Sequence, residues 1–389
     1  MATIITGTPS QLNPVNNSIC FKIQSNDLGS GTVKKRIIYY IEYKDLAGTI
    51  YKVTETNTLE AFSVSQIITL DVNTDIASYL KTIIPTIPSL SSPQTFTDLL
   101  ILGSVRIRVG TAVTDLETCD TTLEWDSYSA WFEVINSVIQ EYEVGYLNFG
   151  IPQILDHRPD QYCIDRDAFD FVWVYGATSV TYTPDIGTPI TINGSGQVNV
   201  FTMSAYGPTR ETMKYMDVTF NSVMGGRTIR VCFTDICCEG WESRNILYLD
   251  PRGGRHMMSF DYLDEHKFNS DQEIICRYQG CGNITSVAND YPTNVNSGGD
   301  TIFHKRNSET ITLVKTLESC NKDQLEYLKS FLGSAGYHIQ VQQPNGPEIM
   351  FRKFIVDSGS ILYNKYDESI DLVISGRMAH EYKTHLADR

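Results

Sequence analysis

The stretch from Asn245 to Phe260, NILYLDPRGGRHMMSF, sets two alternating apolar runs on either side of a tight turn. In an extended chain Ile246, Tyr248 and Asp250 point one way while Leu247 and Leu249 point the other, so this strand is expected to be covered on both faces. Pro251 fixes φ, and Gly253 and Gly254 accept positive φ, which supplies the turn. A hairpin with two apolar faces needs a layer on each side. It therefore predicts β modules before it and a further module folding back around it.

The length of 389 residues exceeds what one ordinary core fills, and three modules are expected: 1–140, 141–243 and 244–389. With 22 Tyr and 16 Phe beside abundant Thr and Val, the composition favours strands. In the first module KKRIIYYIEYKD alternates Ile37, Tyr39, Ile41 and Tyr43 with Ile38, Tyr40 and Glu42, and the Ala47-Gly48 turn leads into TIYKVTE as a hairpin. SQIITLDV, SVRIRVG and SAWFEVI add strands at sandwich spacing. Asp75 is placed to cap a short helix that Pro85 stops, and residues 85–98, PTIPSLSSPQTFTD, read as an exposed loop.

The second module carries FDFVWVY, SVTYTP, MKYMDVTF and RTIRVCFTD as strands. PITI and VNVF, joined through Asn193-Gly194-Ser195-Gly196, read as a hairpin. RIRV at 106–109 and TIRV at 228–231 hint at a repeated sandwich. In the third module KDQLEYLKSFL places Leu325, Leu328 and Leu332 at helical spacing between a candidate N-cap, Asn321, and a terminator, Gly333. The expected fold class is mainly β: tandem immunoglobulin- or fibronectin-like sandwiches, then an α+β or barrel-like module with one amphipathic helix.

Composition also limits function. With 31 basic against 46 acidic residues the net charge is -15, which disfavours a nucleic-acid backbone as ligand, so no specific nucleic-acid partner is expected. No run of eighteen apolar residues occurs and the first residues lack a signal-peptide layout, so no membrane partner is expected and the nine cysteines are read as reduced. Cys232, Cys237, Cys238, Cys276 and Cys281 contain two C-x4-C spacings, but small buried hydrophobes explain them better than zinc does. Asp156-His157-Arg158-Pro159-Asp160 and Asp264-Glu265-His266 set carboxylates beside histidines in polar, turn-like stretches, read as solvated loops. Arg252, Arg255 and His256 are read as flanking a surface turn, and the aromatics as core rather than a sugar platform. No catalytic, cofactor-binding or metal-ligating residue is nominated, no cofactor is expected, and the chain is read as not an enzyme.

The order LYLDPRGGRHMMSF, TITLVKTL, EYLKSFLGSAGYHIQV, EIMFRKFIVDSGS and SIDLVISG, preceded by NNSICFKIQS, IIYYIEY, LDVNTDIASYL and SVRIRVG, resembles tail and baseplate-region structural proteins of phages infecting Bacteroidetes, including crAss-like phages. The resemblance implies a virion structural component assembled in the host cytoplasm. Its partners would be other phage tail proteins and further copies of itself, in a ring of roughly six or twelve. Loops such as 87–98 would be contact candidates. The alternative is a receptor- or carbohydrate-binding virion protein meeting a host-surface glycan, with Trp125 and Trp131 as the aromatics to test; a depolymerase is a third possibility.

Overall fold

The computed structural model describes residues 3–9, 12–27, 29–61, 65–85, 92–138, 151–166, 169–194, 196–234, 244–260, 262–276, 300–318, 322–342, 349–364, 369–378 and 382–383. The protein is mainly β. The first part runs β1 (Thr3–Gly7), β2 (Leu12–Pro14), β3 (Cys20–Ser25), β4 (Val33–Asp45), β5 (Ile50–Lys52), β6 (Asn57–Leu59), β7 (Ile67–Asp71), α1 (Asn73–Ala77), β8 (Thr95–Thr97), β9 (Leu102–Asp115), β10 (Thr121–Tyr128) and β11 (Phe132–Ile135). Then come β12 (Gln153–Ile154), β13 (Gln161–Asp165), β14 (Asp170–Tyr175), β15 (Ser179–Pro184), β16 (Ile190–Asn193), β17 (Val198–Met203), β18 (Tyr215–Ser222) and β19 (Gly225–Thr234). The last part holds β20 (Arg244–Leu249), β21 (Arg255–Phe260), β22 (Tyr262–Cys276), β23 (Asp300–Glu318), α2 (Lys322–Leu332), β24 (Tyr337–Gln342), β25 (Ile349–Asn364), β26 (Ser369–Met378) and β27 (Tyr382–Lys383).

The first two parts are sandwiches of one topology. Sheet β1-β3-β7 faces sheet β2-β11-β9-β4-β5, and sheet β12-β14-β17-β8 faces sheet β13-β19-β18-β15-β16. In each, the second strand lies parallel to the last, β2 on β11 and β13 on β19, while the other pairings are antiparallel. That shared exception supports the repeat. RIRV and TIRV do not mark it, because Arg106–Val109 lies in β9, the next-to-last of the first sandwich's sheet-forming core strands, whereas Thr228–Val231 lies in β19, the last strand of the second. Alternation fills the cores as read: Ile37, Ile41, Val105 and Ile107 meet Phe21 and Ile23 in the first sandwich, and Val172, Val174, Tyr182 and Phe220 pack in the second.

Several local expectations change. PITI and VNVF do not form a hairpin: β16 pairs with β15, and β17 pairs with β14 and β8 in the opposite sheet, so the Gly-rich segment crosses between layers. Both runs alternate, and alternation reports the strand but not its sheet. Residues 95–97 are not loop but β8, added to the edge of β17; 86–91 lie outside the described residues. Asp75 does not cap α1. The helix starts at Asn73 and ends at Ala77, with Val72 at its N-cap and no side-chain cap hydrogen bond. β10 went unread in the sequence because TTLEWDSY is polar and mostly exposed.

The third part is an open antiparallel sheet ordered β21-β20-β24-β25-β26-β23-β22, with β27 on β23. This is the α+β arrangement rather than a barrel. Helix α2 buries Tyr327, Leu328 and Phe331 against Tyr248, Phe260 and Phe354, and it ends where Gly333 donates to the Lys329 carbonyl at 2.9 Å. Asn321 and the Pro-Asn-Gly-Pro turn lie outside the described residues. Asp264, Glu265 and His266 stand in strand β22, not in a loop.

Candidate functional site at the Gly-Gly turn

The hairpin β20–β21 forms as its alternation requires, with Leu249 opposite Arg255 and Ile246 opposite Met258. Its two faces enter different cores. Ile246, Tyr248 and Met258 pack under α2, whereas Leu247 and Met257 join Leu12, Ile135, Leu155, Phe171 and Trp173 in a core drawn from all three parts. Phe351 of β25 adds an edge-to-face contact with Phe169 at 5.9 Å. The turn between the strands is therefore a three-way junction. This is the reverse of the surface turn read from sequence, since Arg255 and His256 point inward and Asp250 is 1% exposed.

Turn residues reach both sandwiches. Toward the first, Val138 donates to the Pro251 carbonyl, the Thr82 hydroxyl donates to the Gly253 carbonyl at 2.8 Å, and the Arg255 guanidinium donates to the Thr82 carbonyl at 3.2 Å. Toward the second, Gly254 donates to the Leu155 carbonyl at 2.7 Å, Arg252 donates to the Asp156 carbonyl at 3.0 Å, and Asp250 accepts from the backbone and Nδ1 side of His157 at 3.1 and 2.8 Å. Gly253 has φ +100, and a Cβ there would sit 1.8 Å from the Asn136 carbonyl oxygen; at Gly254 it would sit 2.5 Å from that of Leu155. The two glycines are needed for close approach as much as for the turn.

Beside the turn lies a buried ionic cluster. Arg158 grips Asp156 with Nε and Nη2, both at 2.7 Å, and reaches Asp170 and the Tyr162 hydroxyl with Nη1 at 2.7 Å each and the Phe171 carbonyl with Nη2 at 2.6 Å. All three charged side chains are 0% exposed. The solvated-loop reading of residues 156–160 therefore holds only for Asp160, which is 76% exposed and meets Arg227 at 3.2 Å. Sequence alone gave little warning, because Asp-His-Arg-Pro-Asp is a surface composition and its countercharge, Asp170, is remote in sequence.

The cluster also ties in the hairpin. Asp170 Oδ1 accepts from the Met257 backbone at 2.7 Å, and its Oδ2 lies 3.0 Å from His256 Nδ1, close enough for ionic attraction but off the line of a hydrogen bond. His256 Nε2 pairs with the Tyr327 hydroxyl of α2 at 3.0 Å. Burial pushes the Asp170 carboxyl upward, but Arg158 and His256 outweigh it and hold the group at about 2. Asp98 anchors the first sandwich similarly: it accepts from Trp173 Nε1 at 2.9 Å and from Ile83 and Leu100, although burial moves its carboxyl up. Asp98 was read as the end of an exposed loop, and it is fully buried.

Chemically the arrangement is saturated. Asp156, Asp170 and Arg158 spend their donors and acceptors on one another and on backbone, which fixes relative positions. Among the described residues no group of three or more His, Cys, Asp or Glu is placed to hold a metal ion. Cys232 sits opposite Cys163 across β13 and β19, while Cys237, Cys238 and Cys281 lie outside the described residues. Trp125 and Trp131 stand at the outer face of the first sandwich, and both rings carry cations, Arg108 at 5.1 Å and Arg106 at 4.4 Å.

No family model matches the chain, and no curated protein matches it. Among solved structures, a chain from the virion of a native gene transfer agent particle aligns over 36% of this chain and 95% of its own length, at 13% identity and a TM-score of 0.21. The plexin A4 extracellular region aligns over 97% of this chain and 36% of its own, at 9% identity and a TM-score of 0.17. At these TM-scores neither likeness assigns a role to the chain.

The junction makes stability depend on pH in two windows. Burial, followed by Arg255 and Lys353, pushes the His338 imidazole down to about 4, while in the unfolded chain it titrates near 6.5. The unfolded state therefore takes up that proton first, and stability falls as pH drops from about 6.5 towards 4. Asp170 acts lower, its contribution being complete above about pH 4 and lost as pH falls towards 2. Urea midpoints measured across pH are expected to decline first below about 6.5, and His338→Gln to flatten the upper part of that decline. An unchanged profile in the variant would remove His338 as its source.

Proposed function

We propose that this chain is a non-enzymatic structural subunit of a phage or phage-like virion, acting by repeated protein-protein association as a hub, ring or baseplate-region component of the tail. The crAss-like, Bacteroidetes-infecting phages remain the suggested source, on the sequence resemblance. The observation that carries the reading is a two-stranded ribbon built on a rigid body. β22 and β23 stay paired from Tyr262↔Val314 to Cys276↔Asp300, while β26 leaves β23 at Thr310. About ten residues of each strand thus run on past the main sheet, roughly 30 Å at 3.4 Å per residue, with only β27 beside them. A ribbon of that length buries little within its own chain and gains cover from a neighbour. The saturated junction supports the same role, because it holds three modules in fixed relation and keeps no polar group spare for chemistry.

Quantitative mass spectrometry of gradient-purified particles tests the proposal. A fixed ratio to the major capsid protein, equivalent to roughly six or twelve copies, is the expected result. Absence from particles, or a variable trace amount, would remove it. A host-glycan role for Trp125 and Trp131 is the second reading, favoured by their outer-face position; it requires that Trp131→Ala lose glycan binding while folding is kept.

A further inference from the structure

The outer face of the first sandwich carries a cationic and aromatic patch at odds with the charge of the whole chain. Pairing sets its rows: Tyr40 lies opposite Arg108 and Glu42 opposite Arg106 across β4 and β9, with Tyr128 opposite Arg108 on β10. In a regular strand Trp125 and Tyr128, three residues apart, would point to opposite faces. The register shift between Trp125 and Ser127 turns both outward. Gly110 permits it, since a Cβ there would lie 2.3 Å from the Glu124 carbonyl oxygen.

The cations are stacked and held. Arg106 lies 4.0 Å from the Tyr128 ring centre and 4.4 Å from that of Trp131, with Glu42 gripping its Nε and Nη2 at 2.7 Å each. Arg108 lies over Tyr128 at 4.7 Å and donates to the Tyr40 hydroxyl at 3.1 Å. Lys44 sits over Trp131 at 4.6 Å and Lys52 over Tyr40 at 5.0 Å. Four cations thus share the face with one inward carboxylate, Glu42, apart from Glu55 at its margin beside Lys52. The chain as a whole carries -15.

We propose that this face docks an acidic surface of a second copy of the chain. Trp, Tyr and Arg dominate binding hot spots, and guanidinium groups already ordered by stacking lose less freedom when they engage carboxylates. Complementarity names the occupant, because outside this patch the protein is strongly acidic. It also sets the symmetry. Two such patches brought face to face would repel, so the contact is heterologous, one copy's cationic face on a different, acidic face of the next, which is how a ring closes.

The inference rests on the assembly reading, and sedimentation velocity on the full chain separates the two. Expected is concentration-dependent association that weakens with salt, and an apparent Kd at least about tenfold weaker for Lys44→Glu and for Arg108→Glu. Lys44→Glu is the safeguard against misfolding, since its side chain contacts only the Trp131 ring, and its urea midpoint should match the parent's. Association unaffected by either variant overturns the docking face and leaves the assembly reading standing. A parent chain that stays monomeric at low salt overturns the docking face, and absence from particles overturns the assembly reading as well. Binding of polygalacturonate that both variants abolish, with self-association unchanged, overturns it in favour of an acidic glycan.

Discussion

Arg158→Ala is expected to destabilise the fold by about 3–5 kcal/mol, read as a lower urea midpoint by the fluorescence of the buried Trp173. The loss would not come from the ion pair as such, since paired buried charges repay little more than their own dehydration. It would come from what is left behind: Asp156 and Asp170, both 0% exposed, would face each other without the guanidinium that now takes three of their oxygens. The Phe171 carbonyl and Tyr162 hydroxyl would lose a donor too. Neutralising the whole group, as Asp156→Asn with Arg158→Met and Asp170→Asn, is expected to cost less than Arg158→Ala alone. A triple variant as damaged as the single one would mean that lost packing, not stranded charge, sets the cost.

Gly253→Ala is expected to be at least as severe, although it adds one carbon. At φ +100 any L-residue carries about 1–3 kcal/mol of backbone strain, and the new Cβ would sit 1.8 Å from the Asn136 carbonyl oxygen, which belongs to the rigid end of β11. The turn would have to retreat from the first sandwich, breaking the Thr82 hydroxyl contact with the Gly253 carbonyl and the Val138 contact with Pro251. Limited proteolysis is the measurement: the variant should be cut between modules at protease concentrations that leave the parent intact. Gly207→Ala is the control, since Gly207 has φ +71 with nothing within 4 Å, so it carries strain without overlap. Equal sensitivity in the two variants would show that strain, not contact across the junction, is what matters.

Alternation was legible wherever both neighbouring layers were apolar. The β20 pattern of Ile246 and Tyr248 against Leu247 predicted burial on two faces, and two separate cores receive them. The helix over Lys322–Leu332 was readable from its Leu spacing for the same reason. Where one face is solvent and the other polar the signal disappears, as it did for β10 and for the outer patch built on it. The hairpin reading of residues 189–201 failed differently. Two adjacent alternating runs were taken as paired, when each pairs elsewhere.

By itself the sequence determined the β class, the one amphipathic helix, the acidic charge and the hairpin with its two glycines, because periodicity, composition and permitted φ are properties of neighbours along the chain. Tertiary structure alone decided that Asp-His-Arg-Pro-Asp is core rather than loop, since Arg158 is dehydrated only when Asp170 and the Met257 strand close over it. It alone decided that the turn is a junction, because Thr82, Asn136 and Leu155 come from segments far removed from Gly253 and Gly254. Charge burial and backbone approach depend on which distant atoms arrive at one place, and no local pattern encodes that meeting.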